Sequence, residues 1–289
     1  MKYTLISIFI ILLNSAFTIQ AIESKPQPNE QFSIKFAAYN VLFGLWGAPE
    51  SIGEKLKKYN LDIICFNEVP NGDWTKRVGT ILNLNHTYVG EISSANHKNK
   101  YKSILSRFPL YNKGEIEINA NGWKPASLVY ANTKVKNVTI KMHSTHIPGQ
   151  QNLNDSAADF IAENIIKTSN DENLIILGDL NNETNNGALK TFHAAGMKSI
   201  WTELGIKGSK HSTHKHIETG VESGIIDHIY FKSKTHEIST KNGGIIYDAF
   251  NLLDKDYDIP RYKNEWIKYG KPLSDHRPIW AELIFRKLK

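Results

Sequence analysis

Short apolar runs alternate with helical stretches along the chain, and this alternation constrains the fold more than any other feature of the sequence. Apolar and aromatic runs typical of buried strands occupy residues 33–41, 61–66, 102–106, 127–131, 138–146, 174–177, 225–231 and 278–285. Helical patterns lie between them at residues 51–59, 78–84, 155–167 and 188–195. Strands and helices that interleave without a break in composition predict a single α/β domain.

Acidic, amide and histidine residues lie at the ends of these apolar runs or directly beside them. They are Asn40, Glu68, His146, Asp179, Asn181, Asp227, Asp275 and His276. In α/β sheets, ligands bind at strand ends, where loops converge. Carboxylate and amide oxygens suit a hard divalent cation such as Mg²⁺, and histidines near such an ion suit acid–base chemistry on a phosphate ester. Single asparagines or an Asp-His pair also occur as plain turn or corner residues, so only the whole set indicates a site.

Seven short motifs resemble those of the endonuclease–exonuclease–phosphatase family and stand in that family's order. They are Tyr39-Asn40, Asn67-Glu68, LSRFPL at 105–110, STH at 144–146, GDLN at 178–181, IDHI at 226–229 and SDHRPI at 274–279. The resemblance covers nearly the whole chain after its N-terminal segment. It implies an α/β fold, a four-layer sandwich of two packed mixed β-sheets flanked by helices, with the catalytic groups at one edge of the sheets.

On the metal side, the resemblance implies three residues. Glu68 matches the family's magnesium ligand, and Asn40 lies beside it on the metal or the phosphate. Asp275 matches a second carboxylate on the metal side. The implied cofactor is Mg²⁺, with Mn²⁺ or Ca²⁺ as alternatives.

The resemblance also implies five residues for the chemistry. Asp179 and Asn181 match the pair that orients the attacking water and binds the phosphate. His276 matches the essential histidine, described as general base or as phosphate stabiliser, and Asp227 matches the acid that orients it. His146 matches a residue that contacts the phosphate or protonates the leaving oxygen.

The chain departs from the family pattern in two places. Residue 67 is Asn where Gln usually precedes the metal-binding Glu, and its side chain is one methylene shorter. The segment after His146 lacks the Asn that abasic-site endonucleases carry there. The second departure argues against an abasic-site activity and leaves the core chemistry intact.

The N-terminal segment has the pattern of a secretory signal peptide. Residues 1–21 contain Lys2, then an apolar run at 5–13 and small residues at candidate cleavage positions. The run is about half the ~20 residues that a membrane span needs, so we expect a secreted or periplasmic protein without a transmembrane segment. Residues 22–31 are polar with two prolines and predict a linker, which leaves 32–289 as the family domain. The single cysteine, Cys65, excludes an intramolecular disulfide and is expected to be buried.

The sequence leaves the substrate open. A net charge of +6 suits polyanionic partners such as nucleic acid or anionic lipid, and a monomeric, exported, non-specific endonuclease acting on DNA or RNA is the first hypothesis. Lys98, Lys100 and Lys102 lie in a polar stretch that would track a phosphate backbone or form a plain surface loop. The alternatives are a phosphomonoesterase and a sphingomyelinase-like phospholipid phosphodiesterase. The latter would touch a membrane transiently through apolar loop tips such as Leu45-Trp46 or Trp123.

Three further histidines, His211, His214 and His216, precede the IDHI motif. Their spacing is compatible with zinc, but no cysteine or acidic cluster accompanies them. We therefore expect a flexible basic loop that faces the substrate.

Overall fold

The computed structural model describes residues 31–70, 72–118, 124–169, 173–183, 187, 189–208, 210–215, 222, 224–248 and 270–288. The predicted signal peptide, all but the last residue of the predicted linker, Trp123 and His216 lie outside these ranges. Within them, no helix is long and apolar enough to cross a lipid bilayer.

Two six-stranded sheets form the centre of the domain. The first sheet consists, in spatial order, of β11 (His236–Ile245), β12 (Ile279–Lys287), β1 (Gln31–Asn40), β2 (Ile63–Val69), β4 (Tyr101–Ser106) and β3 (His86–Val89). The second consists of β5 (Tyr111–Glu117), β6 (Ser127–Val135), β7 (Val138–His146), β8 (Asn173–Asp179), β10 (Asp227–Lys232) and β9 (Lys198–Ser199). Both sheets mix parallel and antiparallel pairs, as the resemblance implied.

The helices of the described part are α1 (Pro49–Lys57), α2 (Gly72–Leu82), α3 (Gln151–Ile161), α4 (Leu189–Ala194) and α5 (Ile200–Leu204). A π-helical turn, Ala162–Ile166, continues α3. Apolar side chains of α1 and α2 pack on the outer face of the first sheet, and those of α3 and α4 pack on the outer face of the second. The four-layer sandwich is therefore confirmed. The predicted helix at 78–84 is the end of a longer helix that begins at Gly72.

The main core lies between the two sheets. Buried residues from both sheets meet there, including Phe36 and Ile63 from the first and Met142 and Leu177 from the second. Cys65 belongs to the same cluster and is a buried free thiol, as predicted. The central strands are buried on both faces, one against the other sheet and one under the helices, which is why they read as continuous apolar runs in the sequence.

Strand register brings the candidate residues to one end of the sandwich. In the first sheet, parallel β1 and β2 pair Asn40 with Asn67. In the second sheet, parallel β7 and β8 pair His146 with Asp179, and antiparallel β10 pairs Asp227 with the same Asp179. The predicted polar residues at strand ends therefore lie side by side in each sheet.

Candidate active site

An ion pair between His276 and Asp227 forms the centre of the site. The Nδ1 atom of His276 lies 2.9 Å from Oδ2 of Asp227, and its Nε2 atom lies 3.5 Å from Oδ2 of Asp179. All three residues are buried. Burial opposes charge on His276, but the carboxylates of Asp227 and Asp179 outweigh it and raise the pKa of His276 above its usual value. The imidazole is therefore protonated near neutral pH and presents an N–H donor beside Asp179.

Asp179 is held by donors from both sheets. Its Oδ2 accepts a hydrogen bond from Nδ2 of Asn40 at 3.0 Å, and its Oδ1 accepts one from the backbone N–H of Asn181 at 3.0 Å. Burial and the charge of Asp227 raise the pKa of Asp179 above its usual value, and the positive charge of His276 opposes them. A carboxylate with a raised pKa is better suited to accept a proton from water than an ordinary surface aspartate.

His146 is a neutral imidazole in this arrangement. Burial, followed by the charges of Lys100 and Lys102, holds its pKa well below the usual value. Its Nε2 atom lies 3.2 Å from Nδ2 of Asn181, which also donates to the carbonyl of Ile147 at 2.9 Å. Because an amide nitrogen only donates, this geometry assigns Nε2 as the acceptor and places the proton on Nδ1. Of the two roles implied for His146, a contact to phosphate fits this neutral form better than proton donation.

Glu68 provides the group that fits a metal ion best. It lies at an irregularity in the pairing of β2 with β4 and has a positive φ of 54°, a feature that often re-aims a side chain at a functional site. Its Oε1 atom accepts a hydrogen bond from Nζ of Lys100 at 2.9 Å. Its Oε2 atom is buried and has no hydrogen-bond partner among the described residues. A buried carboxylate oxygen without a partner is costly unless a cation satisfies it, so Glu68 fits the implied divalent ion.

The other two metal-side residues are engaged differently. Asn40 uses Oδ1 to accept the backbone N–H of Leu42 at 3.1 Å, which leaves that oxygen a second lone pair. Asp275 accepts from the hydroxyl of Ser274 at 3.1 Å and lies 3.8 Å from Nε2 of His214. Burial opposes ionisation of Asp275, but the hydrogen bond from His214 and the charge of His276 outweigh it and lower its pKa.

The described part of the chain contains two groups of three side chains that could each offer one atom to a metal ion. Within each group, these atoms lie within 4.8 Å of one another. One comprises His214, Asp275 and His276, and the other comprises Asp179, Asp227 and His276. Glu68 belongs to neither. Because both groups include the protonated His276, they are less suited to a cation than the unpaired oxygen of Glu68.

His214 is placed differently from the sequence expectation. It was expected in a flexible basic loop, yet residue 214 pairs with 276 in a short β-bridge and its ring lies 4.6 Å from that of His276. Burial lowers the pKa of His214, partly offset by the hydrogen bond to Asp275. His211 lies apart from this pair and shares a 2.5 Å hydrogen bond with the hydroxyl of Tyr247. The side chain of His214 therefore belongs to the site, which spacing alone did not show.

Several supporting residues were also missed. Asn67 bridges the sheets, because its Oδ1 accepts the backbone N–H of Asp179 at 2.8 Å and its Nδ2 donates to the hydroxyl of Ser144 at 3.4 Å. The hydroxyl of Thr213 accepts the backbone N–H groups of residues 226 and 227, and that of Ser274 donates to the carbonyl of Asn40 at 2.8 Å. Asn67 and Ser274 stand inside two of the seven motifs without a role assigned to them, and Thr213 lies between motifs, next to His214.

Residues 37–276 match the sequence model of the Endonuclease/Exonuclease/phosphatase family. The chain belongs to this family. No curated protein is similar enough in sequence to count as a relative.

Solved structures with this fold extend the comparison. An endonuclease/exonuclease/phosphatase family protein from Bacteroides thetaiotaomicron is 17% identical with a TM-score of 0.67, over 89% of this chain and 99% of that chain. The mannosyl-6-phosphatase of the same species is 16% identical with a TM-score of 0.65, over 86% and 99%. D. rerio TDP2 complexed with a single-strand DNA product is 14% identical with a TM-score of 0.61, over 87% and 98%. At these identities the likeness shows the shared fold, and the substrate must be argued from this chain's own residues.

Proposed function

We propose that this protein is an exported, magnesium-dependent phosphodiesterase whose preferred substrate is nucleic acid. The observation that carries the hydrolytic part is the His276–Asp227 ion pair beside Asp179, with a buried, unpartnered oxygen of Glu68 in the same site. Support for export is the signal-peptide pattern of residues 1–21.

The arrangement divides the work among named groups. A divalent ion on Glu68, with Asn40 beside it, would supply positive charge to stabilise the phosphoryl oxygens. Asp179 accepts a proton from the attacking water, whose oxygen forms a bond to phosphorus. His276 donates its Nε2–H to a phosphoryl oxygen, and Asp227 keeps the ring protonated and oriented. The ester P–O bond breaks, and the leaving oxygen departs with its electron pair.

A pair of neutral groups provides the phosphate contact. The amide of Asn181 and the ring of His146 lie within 3.2 Å of each other at the ends of adjacent elements. Neither carries a charge. The two N–H groups of the Asn181 amide point to Nε2 of His146 and to the carbonyl of Ile147, so Asn181 holds the ring and the Nδ1–H of His146 donates to the phosphate. Electrostatic stabilisation is then left to His276 and the metal-side groups.

The preference for nucleic acid rests on charge. The chain carries a net +6, and Lys98 is exposed in the loop that leads to the site. Lys102 does not contribute to this surface, contrary to both expectations for it, a stretch that tracks a phosphate backbone and a plain surface loop. It is fully buried, donates to the carbonyl of Ile92 and the hydroxyl of Ser94, and has a pKa that burial lowers to about 8. Phosphate contacts outside the site therefore fall to Lys98 and other surface lysines.

Plasmid nicking tests the proposal. We expect residues 22–289 to nick supercoiled DNA in Mg²⁺, to lose that activity in EDTA, and to lose it in His276→Ala. His236→Ala, on the edge strand β11, is the matched control and should nick normally. Nicking should also weaken steeply as salt rises, because phosphate contacts release counterions. A folded protein that does not nick DNA in Mg²⁺ contradicts the nuclease assignment.

A phosphomonoesterase is the second candidate, favoured by the ammonium of Lys100, which lies 2.9 Å from Glu68. An extra cation in the site suits the dianionic phosphate of a monoester better than a diester. Comparing p-nitrophenyl phosphate with bis(p-nitrophenyl) phosphate separates the two. For a phospholipid substrate, Leu45 is exposed at 61%, whereas the adjacent Trp46 is half-buried. One exposed leucine gives less support than the charge does.

A further inference from the structure

Lys100 forms a direct ion pair with the carboxylate that fits the divalent ion. Its ammonium lies 2.9 Å from Oε1 of Glu68, and the two side chains are 22% and 7% exposed. The same ammonium lies 5.6 Å from the ring centroid of Phe43, in the turn that follows Asn40. Lys100 therefore lies between Glu68 and the turn that follows Asn40.

Hydrogen bonds of the Lys100 backbone hold its loop in place and do not involve the Lys100 side chain. The N–H of Lys100 donates to the hydroxyl of Ser93 at 3.0 Å, and its carbonyl accepts the N–H of Ser94 at 3.1 Å. The buried ammonium of Lys102 anchors the same loop through Ile92 and Ser94. The ion pair with Glu68 is thus not needed to fold the loop, and its position calls for a functional explanation.

Two cations cannot share one carboxylate at close range without repulsion. We propose that Lys100 is a counter-ion that competes with the divalent cation for Glu68 and, once that cation is bound, turns to the phosphate of the substrate. This inference rests on the proposed function, since it requires a divalent ion on Glu68. It makes Lys100 a substrate-binding residue and predicts that the apo site carries a positive charge of its own.

Three properties of the site support the exchange. The partial exposure of Lys100 lets its head group move at little cost, since a lysine has a flexible four-carbon stem. The face of Phe43 offers a second stabilising contact for a cation that leaves Glu68. Glu68 itself keeps a second oxygen that no described residue satisfies, so ion binding can begin before the ammonium departs.

Calorimetric titration with Mg²⁺ and Mn²⁺ tests the competition without relying on activity. We expect Lys100→Met to bind either ion about tenfold or more tightly than wild type, since a nearby like charge is removed from a partly buried site. Lys100→Arg keeps the charge and should stay within about threefold of wild type. Lys57→Met is the matched control, because Lys57 forms an exposed 3.3 Å pair with Glu54, and its ion affinity should not change.

Phosphate binding tests the second part of the inference, that Lys100 turns to the phosphate once the divalent ion is bound. In saturating Mg²⁺, Lys100→Met should bind inorganic phosphate several-fold more weakly than wild type, while Lys57→Met should match wild type. Ion affinity that is equal to or weaker than wild type in a folded Lys100→Met, or unchanged phosphate affinity, would overturn the inference. Glu68→Gln separates this failure from failure of the proposed function. If Glu68→Gln binds the ion as wild type does, the metal assignment itself is wrong.

Discussion

His143 should make the fold sensitive to acid, although it takes no part in the site. It lies in β7, is fully buried, and neither ring nitrogen has a hydrogen-bond partner among the described residues. Burial, followed by the charge of Lys141, lowers the pKa of His143 from 6.5 to about 3. A neutral histidine is thus enclosed in the apolar layer between the second sheet and its helices.

The sign and size of the effect follow from proton linkage. In the unfolded chain His143 regains its usual pKa of 6.5, so below that pH the unfolded state binds more protons than the folded state. The free energy of unfolding is therefore unaffected well above pH 6.5 and falls as the pH drops toward 3. At about 1.4 kcal/mol per pH unit, the loss at pH 5 amounts to about 2 kcal/mol.

Urea unfolding of wild type and His143→Leu at pH 8 and pH 5 measures this loss. Leucine has a volume close to that of histidine and cannot titrate. Other buried histidines, such as His228 with a pKa lowered to about 4, are present in both proteins, so their effects cancel in the difference. We expect wild type to lose about 2 kcal/mol more than the variant between the two pH values. Equal losses would refute the account of a neutral, buried His143.

Other changes test the site and its frame. His276→Ala and Asp227→Asn should each reduce turnover by about 10²–10⁴-fold, and their urea midpoints should fall as well, because each change removes one partner of a buried ion pair; a folded variant with wild-type turnover would contradict the catalytic role. Gly178→Ala should destabilise by about 2–3 kcal/mol in urea titrations, because Gly178 has a φ of 142° and a Cβ there would overlap a backbone carbonyl oxygen of β7; an unchanged midpoint would contradict this. Asn67→Ala should cost about 1–3 kcal/mol, since it removes the partner of the Asp179 amide, and turnover should fall with it; wild-type stability and rate would show that the bridge is dispensable.

The central strands were predictable and the edge strands were not. All four strands that the sequence did not reveal, namely β3, β5, β9 and β11, are the four edges of the two sheets. An edge strand has one neighbour and is open to solvent, so it does not need a continuous apolar run. β5 shows this, because none of its residues is fully buried, whereas every residue of β2 and β8 is buried.

The residues of the candidate site likewise divide into those that the sequence predicted and those that it did not. Residues such as Asp179 and Asp227 were predicted because they lie at the ends of apolar runs, within motifs that resemble those of the family, and the strand register then pairs them. Lys100 and His214 were not assigned to the site, since each reaches it from a loop whose path depends on tertiary packing. Sequence spacing identifies side chains on paired strands, but it does not show which loop residues contact them.

The two halves of the site come from different sheets, and this explains why polar bridges accompany the apolar core. Glu68 belongs to the first sheet, whereas Asp179 and Asp227 belong to the second. Packed sheets lie about 10 Å apart, so apolar packing sets their spacing but does not by itself fix their relative slide. Nδ2 of Asn40 donates to the carboxylate of Asp179 at 3.0 Å, the backbone N–H of Asp179 donates to Oδ1 of Asn67 at 2.8 Å, and these two hydrogen bonds join the sheets directly at the site. Asp179 is thereby tied to both sheets. The contacts that hold the two sheets in register therefore also align Asp179, which would take the proton from water, with the metal side of the site.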